Sequence, residues 1–480
     1  MPVLRIVIVG GGPGGYEAAL VAAEAGAQVT VVTAEPTLGG NSVLWDSVPS
    51  KTLIVSAEAM GWAQSAHRLG VRLESGEALA GQARVDLGAV MDRVRSLAGT
   101  QSADITAKVE AAGVAVVRGT ARLAGRGAVE VEEDGGATRV LPADVVLIAT
   151  GSNPRTLPFS VPDGERVFTS RELGNLRELP ERLIVVGSGA TGAEYAHAFA
   201  RFGAEVHLIS SRDQVLPNED ADAAAVIEGS FERWGMVIHR RTRAVDLERS
   251  ADGVRLKVTR RATPDAEPQE EWVEGSHALF CIGQVPSSAK LGLEAAGVEL
   301  AEGGAIPVDG VSRTNVPTIY AAGDVTGGIM LASVAAMQGR NAMWHALGQA
   351  VAPLRRHTIA ACIFTDPEVA SVGITEAQAR ERQLPFETVS LTYAGNPRAK
   401  MAENTDGFVK LHAMEGSGTV LGGVVVADRA SDLITPVSVA VANGLSVAQL
   451  AHAFSIYPSM SGSLQETARQ LMGRLASPWT

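Results

Sequence analysis

The stretch RIVIVGGGPGGYEAALVAAEAGAQVTVV, Arg5 to Val32, decides the fold. Arg5 to Val9 reads as a short buried strand, the alanine-rich run after it as a helix ended by Gly26, and Gln28 to Val32 as a second strand. Gly10, Gly12 and Gly15 fall as G-x-G-x-x-G at the strand-to-helix turn. The first glycine permits the tight turn, the second lets backbone approach a pyrophosphate, and the third lets helix and strand pack closely. The helix N-terminus then faces the phosphate charge. Alone the triplet is weak; in this setting it predicts a dinucleotide site in a βαβ unit of a parallel sheet.

The pattern returns far along the chain. LIVVGSGATGAEYAHAFARFGAEVHLIS, Leu183 to Ser210, places Gly187, Gly189 and Gly192 in the same context, with Gly203 ending the helix. Two fingerprints imply two dinucleotides, and the usual pairing is a tightly held flavin with an exchangeable nicotinamide. The ribose-binding acid expected ~20 residues on is irregular in both units. In the first the strand ends at Thr33, and Glu35 is the candidate to reach the ribose. In the second, Ile209-Ser210-Ser211-Arg212 has no acid at its tip. Serine tolerates a 2′-phosphate and Arg212 can bind one through a charge-assisted bond, which favours NADPH or dual NADH/NADPH use; the alternative is a simply exposed Arg212.

Outward from these units, 480 residues correspond to about three domains. Helices are expected from Lys51 to about Arg68 and from about Leu87 to Ala112, the second with Val90, Val94, Leu97, Ile105 and Val109 at helical spacing. VAVVRGTARL, DVVLIATG, HALFCIG, TIYAAGD, CIF and VLGGVVVA read as strands, and SDLITPVSVAVANG as helical. The polar stretch Arg261 to Glu270 reads as the end of the second unit. A net charge of −12 argues against nucleic acid as a main partner, and the basic runs His239-Arg240-Arg241 and Arg355-Arg356-His357 read as solvated edges. No leader pattern precedes the first strand and no apolar run reaches the ~20 residues of a membrane helix. Two distant cysteines, Cys281 and Cys362, read as reduced, packed thiols of a cytoplasmic protein. No zinc spacing, nucleophile elbow or Walker sequence occurs, so no metal is expected.

Further motifs carry a family resemblance over essentially the whole chain. ATGSNPR (Ala149 to Arg155), TNVPTIYAAGDVTGG (around Asp324), LASVAAMQG (Leu331 to Gly339), FTDPEVASVG and NPRAKMAENTDGFVKL together resemble the pyridine nucleotide–disulfide oxidoreductases. The resemblance implies an α/β fold: two Rossmann-like, three-layer dinucleotide-binding domains and a C-terminal α+β dimerisation domain. It divides the chain into an FAD-binding part at 1–155, an NAD(P)-binding domain at 156–274, a second FAD-binding part at 275–350 and a dimerisation domain at 351–480. It implies FAD and NADPH and/or NADH as cofactors, and a homodimer. Flavin-side positions would include Gly40, Asn41, Ala121, Thr150, Gly151, Asp324 and Ala332. Gly283, Ser211 and Arg212 would serve the nicotinamide nucleotide. Lys51 matches the lysine beside flavin N5 and Glu194 the glutamate paired with it, because a fixed ammonium stabilises negative charge developing there.

The resemblance breaks at four positions that share one task. GGNSVLWDSVPSK (Gly39 to Lys51) has Ser42 and Ser47 where the family motif GGxCxxxxCxPSK holds its redox pair. Near the C-terminus, Tyr457 and Gly462 stand for the histidine and glutamate that serve the thiol. A serine hydroxyl cannot relay two electrons by thiol exchange. The expected activity is therefore NAD(P)H oxidation with electrons leaving the flavin directly for a quinone or similar small acceptor. A nicotinamide transhydrogenase and a flavin-binding redox sensor are the alternatives, and retention of Lys51 and Glu194 counts against the sensor. Ser42, Trp45 and Ser47 would line the acceptor pocket. Tyr457, donated by a partner subunit, would bond a quinone oxygen or else be a satisfied core tyrosine.

Overall fold

The computed structural model describes residues 3–475. The first fingerprint opens a seven-stranded sheet. Its parallel part runs Ile319–Ala321, Val145–Ile148, Arg5–Val9, Gln28–Thr33 and Ala115–Leu123, and the antiparallel strands Ala128–Glu133 and Thr138–Pro142 extend it. Helix α1 (Pro13–Glu24) follows the glycine turn, α2 spans Ser47–Ser65 and α3 spans Leu87–Ala111. The buried stripe of α3 is Leu87, Met91, Val94, Ala98, Ser102, Ile105 and Val109. Leu97 falls off that stripe and is exposed, because the face turned to the core lies one residue further round than the valine spacing implied.

A second, wholly parallel sheet orders Val237–His239, Glu205–Ile209, Arg182–Val186, His277–Phe280 and Val167–Phe168, with α4 (Ala190–Phe202) after its glycine turn. His277–Phe280 sits beside Arg182–Val186 in the middle of this sheet. The boundary expected at 275 therefore falls short, and the second unit continues to about Phe280. The stretch Arg261 to Glu270 does not end that unit either; it is largely the connection between the antiparallel strands Val254–Arg260 and Gln269–Gly275. Proline and charge mark a turn whether or not a domain ends there. The chain's two crossings between the sheets run side by side as Ser152–Pro154 and Gln284–Pro286.

Helix α5 (Ala332–Ala346) returns against α1 so closely that a Cβ on Gly339 would lie 2.1 Å from the Gly14 carbonyl oxygen. The last unit is an antiparallel sheet ordered Ala361–Ile363, Glu368–Gly373, Val420–Ala427, Phe408–Met414, Phe386–Thr392, backed by helices that include Thr435–Asn443 and Ser461–Leu475. No helix among the described residues is long and apolar enough to cross a membrane. The run His239-Arg240-Arg241 is not a solvated edge throughout: His239 stacks on His207 with ring centroids 5.2 Å apart, and Arg240 pairs with Glu228 at 2.6 Å.

Where α2, α4 and the last sheet meet lies a cavity of about 580 Å³. Arg201 pairs there with Asp366 and lies over Trp234 at 4.1 Å. Glu58, on the cavity wall, is raised from 4.5 to about 7, first by burial and then by Glu368, Asp428 and Asp366. A carboxyl so raised contributes its full stability below pH 4.5 and loses it as the pH rises through about 7. Denaturant titrations should therefore show the protein weakening across that window, and Glu58→Gln flattening the loss. Identical pH curves for the two proteins would count against this assignment.

Candidate functional site

The first glycine turn and Gly40 wall the first cavity, of about 320 Å³. Gly10 has φ +112°, and a Cβ on it would lie 2.2 Å from the Ala149 oxygen; one on Gly40 would lie 2.6 Å from the Gly12 Cα. Gly12 flanks α1 without a capping side chain and Pro13 has no N–H, so the helix start is bare backbone at the cavity wall. Gly10, Gly12, Glu35, Gly40, Asn41, Ala121, Thr150, Gly151, Asp324 and Ala332 all line this cavity. Gly15 lies behind the turn, where a Cβ would meet the Gly10 oxygen at 2.0 Å.

The wall is wired across long sequence distances. Asn41 Nδ2 donates to the Ser152 carbonyl at 2.5 Å, Ser152 Oγ to Asp324 Oδ2 at 2.7 Å and Thr150 Oγ1 to the Ser287 carbonyl at 2.8 Å. Burial raises the Asp324 carboxyl above its usual range while the Ser152 bond opposes the rise. Glu35 pairs with Arg171 at 2.9 Å, and Arg171 also lies over the Trp45 ring at 5.2 Å. Ser42 and Ser47 line the cavity, while Trp45 packs against Arg171 outside its lining. Ser152, Arg171 and Ser287 went unmarked in the sequence; Ser152 directly follows the ATG strand end, a signal that was available.

Lys51 lies one helical turn beyond Ser47 on α2, and Glu194 lies inside α4. The Lys51 Nζ donates to Glu194 Oε2 at 2.8 Å and to Ser50 Oγ at 3.3 Å. The other Glu194 oxygen accepts the Phe364 backbone N–H at 3.0 Å, and the Phe364 ring lies 4.9 Å from Nζ. The Glu194 side chain is 5% exposed and that of Lys51 32%, so the ammonium is the part open to the surroundings. Phe364 belongs to the last unit, and nothing in its apolar surroundings marked it.

At the second turn, a Cβ on Gly187 would meet the Cys281 oxygen at 2.2 Å and one on Gly192 the Gly187 oxygen at 1.8 Å. Gly189 flanks α4 with no capping side chain. Ser211 and Arg212 are exposed past the strand end, and Gly283 (φ +98°) accepts the Arg155 N–H at 2.9 Å. Both cysteines are free, neither lines the first cavity, and burial pushes both thiols well above their usual range. Cys281 lies just past the strand His277–Phe280. Tyr457 is 83% exposed in one apolar stretch with Phe454 and Ile456, so it is not a core tyrosine and does not reach its own chain's cavity. No grouping of three or more potential metal ligands occurs among the described residues.

Residues 4–339 match the model of the pyridine nucleotide-disulphide oxidoreductases, and residues 359–468 that family's dimerisation domain. The chain belongs to the pyridine nucleotide-disulphide oxidoreductase family. It is 46% identical over 479 residues to an NAD(P)H dehydrogenase (quinone) of Mycobacterium tuberculosis, covering 98% of this chain and 94% of that one. A dihydrolipoyl dehydrogenase of Chlorobaculum tepidum is 34% identical, with 96% of each chain covered. The crystal structure of LpdA from Mycobacterium tuberculosis superposes with a TM-score of 0.90 at 46% identity, covering 98% of this chain and all of that one. RclA of Escherichia coli, a flavoprotein disulfide reductase, shares the fold at a TM-score of 0.83 and 24% identity. Members of the pyridine nucleotide-disulphide oxidoreductase family use FAD and NAD(P)H. The first cavity fits the larger group: Gly10 and Gly40 where no Cβ has room, an uncapped helix start for a pyrophosphate and a fixed ammonium one helical turn from the lining Ser47.

Proposed function

We propose that this chain is an FAD-dependent NAD(P)H dehydrogenase whose electrons pass straight to a quinone or similar small acceptor. The observation that carries this reading is the intact Lys51–Glu194 pair at 2.8 Å, one helical turn from Ser47, which with Ser42 stands where the family's motif has cysteines. The name of the Mycobacterium tuberculosis relative, an NAD(P)H dehydrogenase (quinone), supports it.

Bound in the first cavity, FAD supplies a two-electron carrier between nicotinamide and acceptor. The chain's own residues hold and polarise. Gly10, Gly12 and Gly40 give backbone room for the pyrophosphate, Asp324 and Asn41 orient the middle of the group, and Glu35, held by Arg171, serves the ribose. Lys51 presents fixed positive charge, and Glu194 with the Phe364 N–H keeps the ammonium in place. Gly187, Gly189 and Gly192 take the nicotinamide nucleotide, with exposed Ser211 and Arg212 suited to a 2′-phosphate. Free, high-pKa thiols support a reducing, cytoplasmic setting. The dimerisation-domain match supports a homodimer, and a fully exposed Phe454 beside Ile456 and Tyr457 gives such a partner an apolar surface to cover.

Mixing the holoenzyme and NADPH with a water-soluble benzoquinone, with lipoamide and with glutathione disulfide tests the reading. Rapid oxidation with the quinone and none with the disulfides is expected; sustained lipoamide turnover would overturn it.

A further inference from the structure

Reduction of a quinone by NAD(P)H consumes one proton beyond the transferred hydride: NAD(P)H + H⁺ + quinone gives NAD(P)⁺ + hydroquinone. A titratable donor beside the acceptor would deliver that proton faster than solvent does. The positions that carry thiols and their base in the family motif hold Ser42, Ser47, an exposed Tyr457 and Gly462. A serine hydroxyl does not titrate near neutrality.

Three carboxyls line the first cavity: Glu35, Asp46 and Asp324. Glu35 is ion-paired with Arg171, and Asp324 accepts from Ser152. Asp46, between Ser42 and Ser47, has no such partner. It stands at the N-terminal flank of α2 yet caps no helix N–H, and no hydrogen bond contributes to its ionisation. The titratable groups whose charge couples to it are Lys51 on its own helix, Glu194 and Tyr195 on α4, Cys281 past the second sheet and Asp324 ahead of α5. Burial raises its pKa most; Glu194 and Asp324 add to the rise, and Lys51 opposes it. Desolvation and these two carboxylates favour its protonated form, against the pull of Lys51.

We propose that Asp46 is the proton donor to the electron acceptor. Its carboxyl O–H breaks as the second hydroquinone O–H forms, and the carboxylate takes a proton back from solvent between turnovers. The proposal rests on the direct-acceptor reading above.

The test compares wild-type holoenzyme with Asp46→Asn and Asp46→Glu in stopped flow, after reduction with NADPH. Two oxidants are used: 1,4-benzoquinone, which needs a proton, and ferricyanide, which takes electrons alone. In Asp46→Asn the benzoquinone rate is expected to fall about 100-fold relative to the ferricyanide rate, and Asp46→Glu to recover part of it. An independent readout needs no turnover: the infrared carbonyl stretch of a protonated carboxylic acid at neutral pH, present in the wild type and lost in Asp46→Asn. Equal slowing with both oxidants, an unaltered benzoquinone rate in Asp46→Asn, or no such band would each overturn the assignment. Should wild-type protein, once reduced, fail to react with benzoquinone at all, the proposed function falls and Asp46 with it. Normal wild-type reaction with an unaffected variant removes only Asp46.

Discussion

Lys51→Met is expected to slow reduction of the bound flavin by NADPH about 10²–10³-fold, the typical effect of deleting one fixed donor aimed at developing negative charge. The magnitude follows from how little can substitute for it. The ammonium is the cation held at this spot, by Glu194 at 2.8 Å and Ser50 at 3.3 Å, and methionine keeps its bulk without its charge. A second effect accompanies the first. The Glu194 carboxylate, 5% exposed, loses its counter-ion and keeps only the Phe364 N–H. One-sided removal of a buried pair costs about 3–5 kcal/mol; Lys51 is a third exposed, so about 3 kcal/mol is the sensible figure. Stopped-flow bleaching of the flavin and denaturant unfolding read the two effects separately. A variant reduced at the wild-type rate would remove Lys51 from the chemistry.

Gly192→Ala is expected to separate the two nucleotides. The new Cβ would lie 1.8 Å from the Gly187 oxygen, so α4 must move off its sheet. Overpacking costs about 1–3 kcal/mol; displaced onto nucleotide binding, that weakens NADPH affinity roughly ten- to a hundredfold. Flavin content should survive, because the first cavity lies in the other unit. Gly15→Ala makes the mirror-image test: a Cβ 2.0 Å from the Gly10 oxygen should lower flavin retention on purification. Loss of flavin from Gly192→Ala, with NADPH binding intact, would reverse the assignment of the two sites.

What the sequence made legible was local and rule-bound. A glycine triplet between strand and helix fixes a turn whatever surrounds it, so both βαβ units form where the sequence places them. Pairings set by the whole fold were not readable. Nothing near Glu35 announces Arg171, 136 residues away, and nothing near Glu194 announces the Phe364 N–H. His277–Phe280 reads as a strand, but which sheet it joins is a matter of topology, and the boundary at 275 failed for that reason. Leu97 failed on orientation: a near-helical spacing does not say which way a side chain turns. Asp46 lay in plain view between the two serines, and only its lack of a partner in three dimensions set it apart.

The amide of Phe364 has a wider consequence. It comes from the edge of the third sheet, yet it completes the setting of a carboxylate inside the second unit that steadies an ammonium from the first. Three units, already joined by one continuous apolar core, thus meet at one charged pair. Any shift of one unit against the other two is therefore felt first at the charge that the flavin would face.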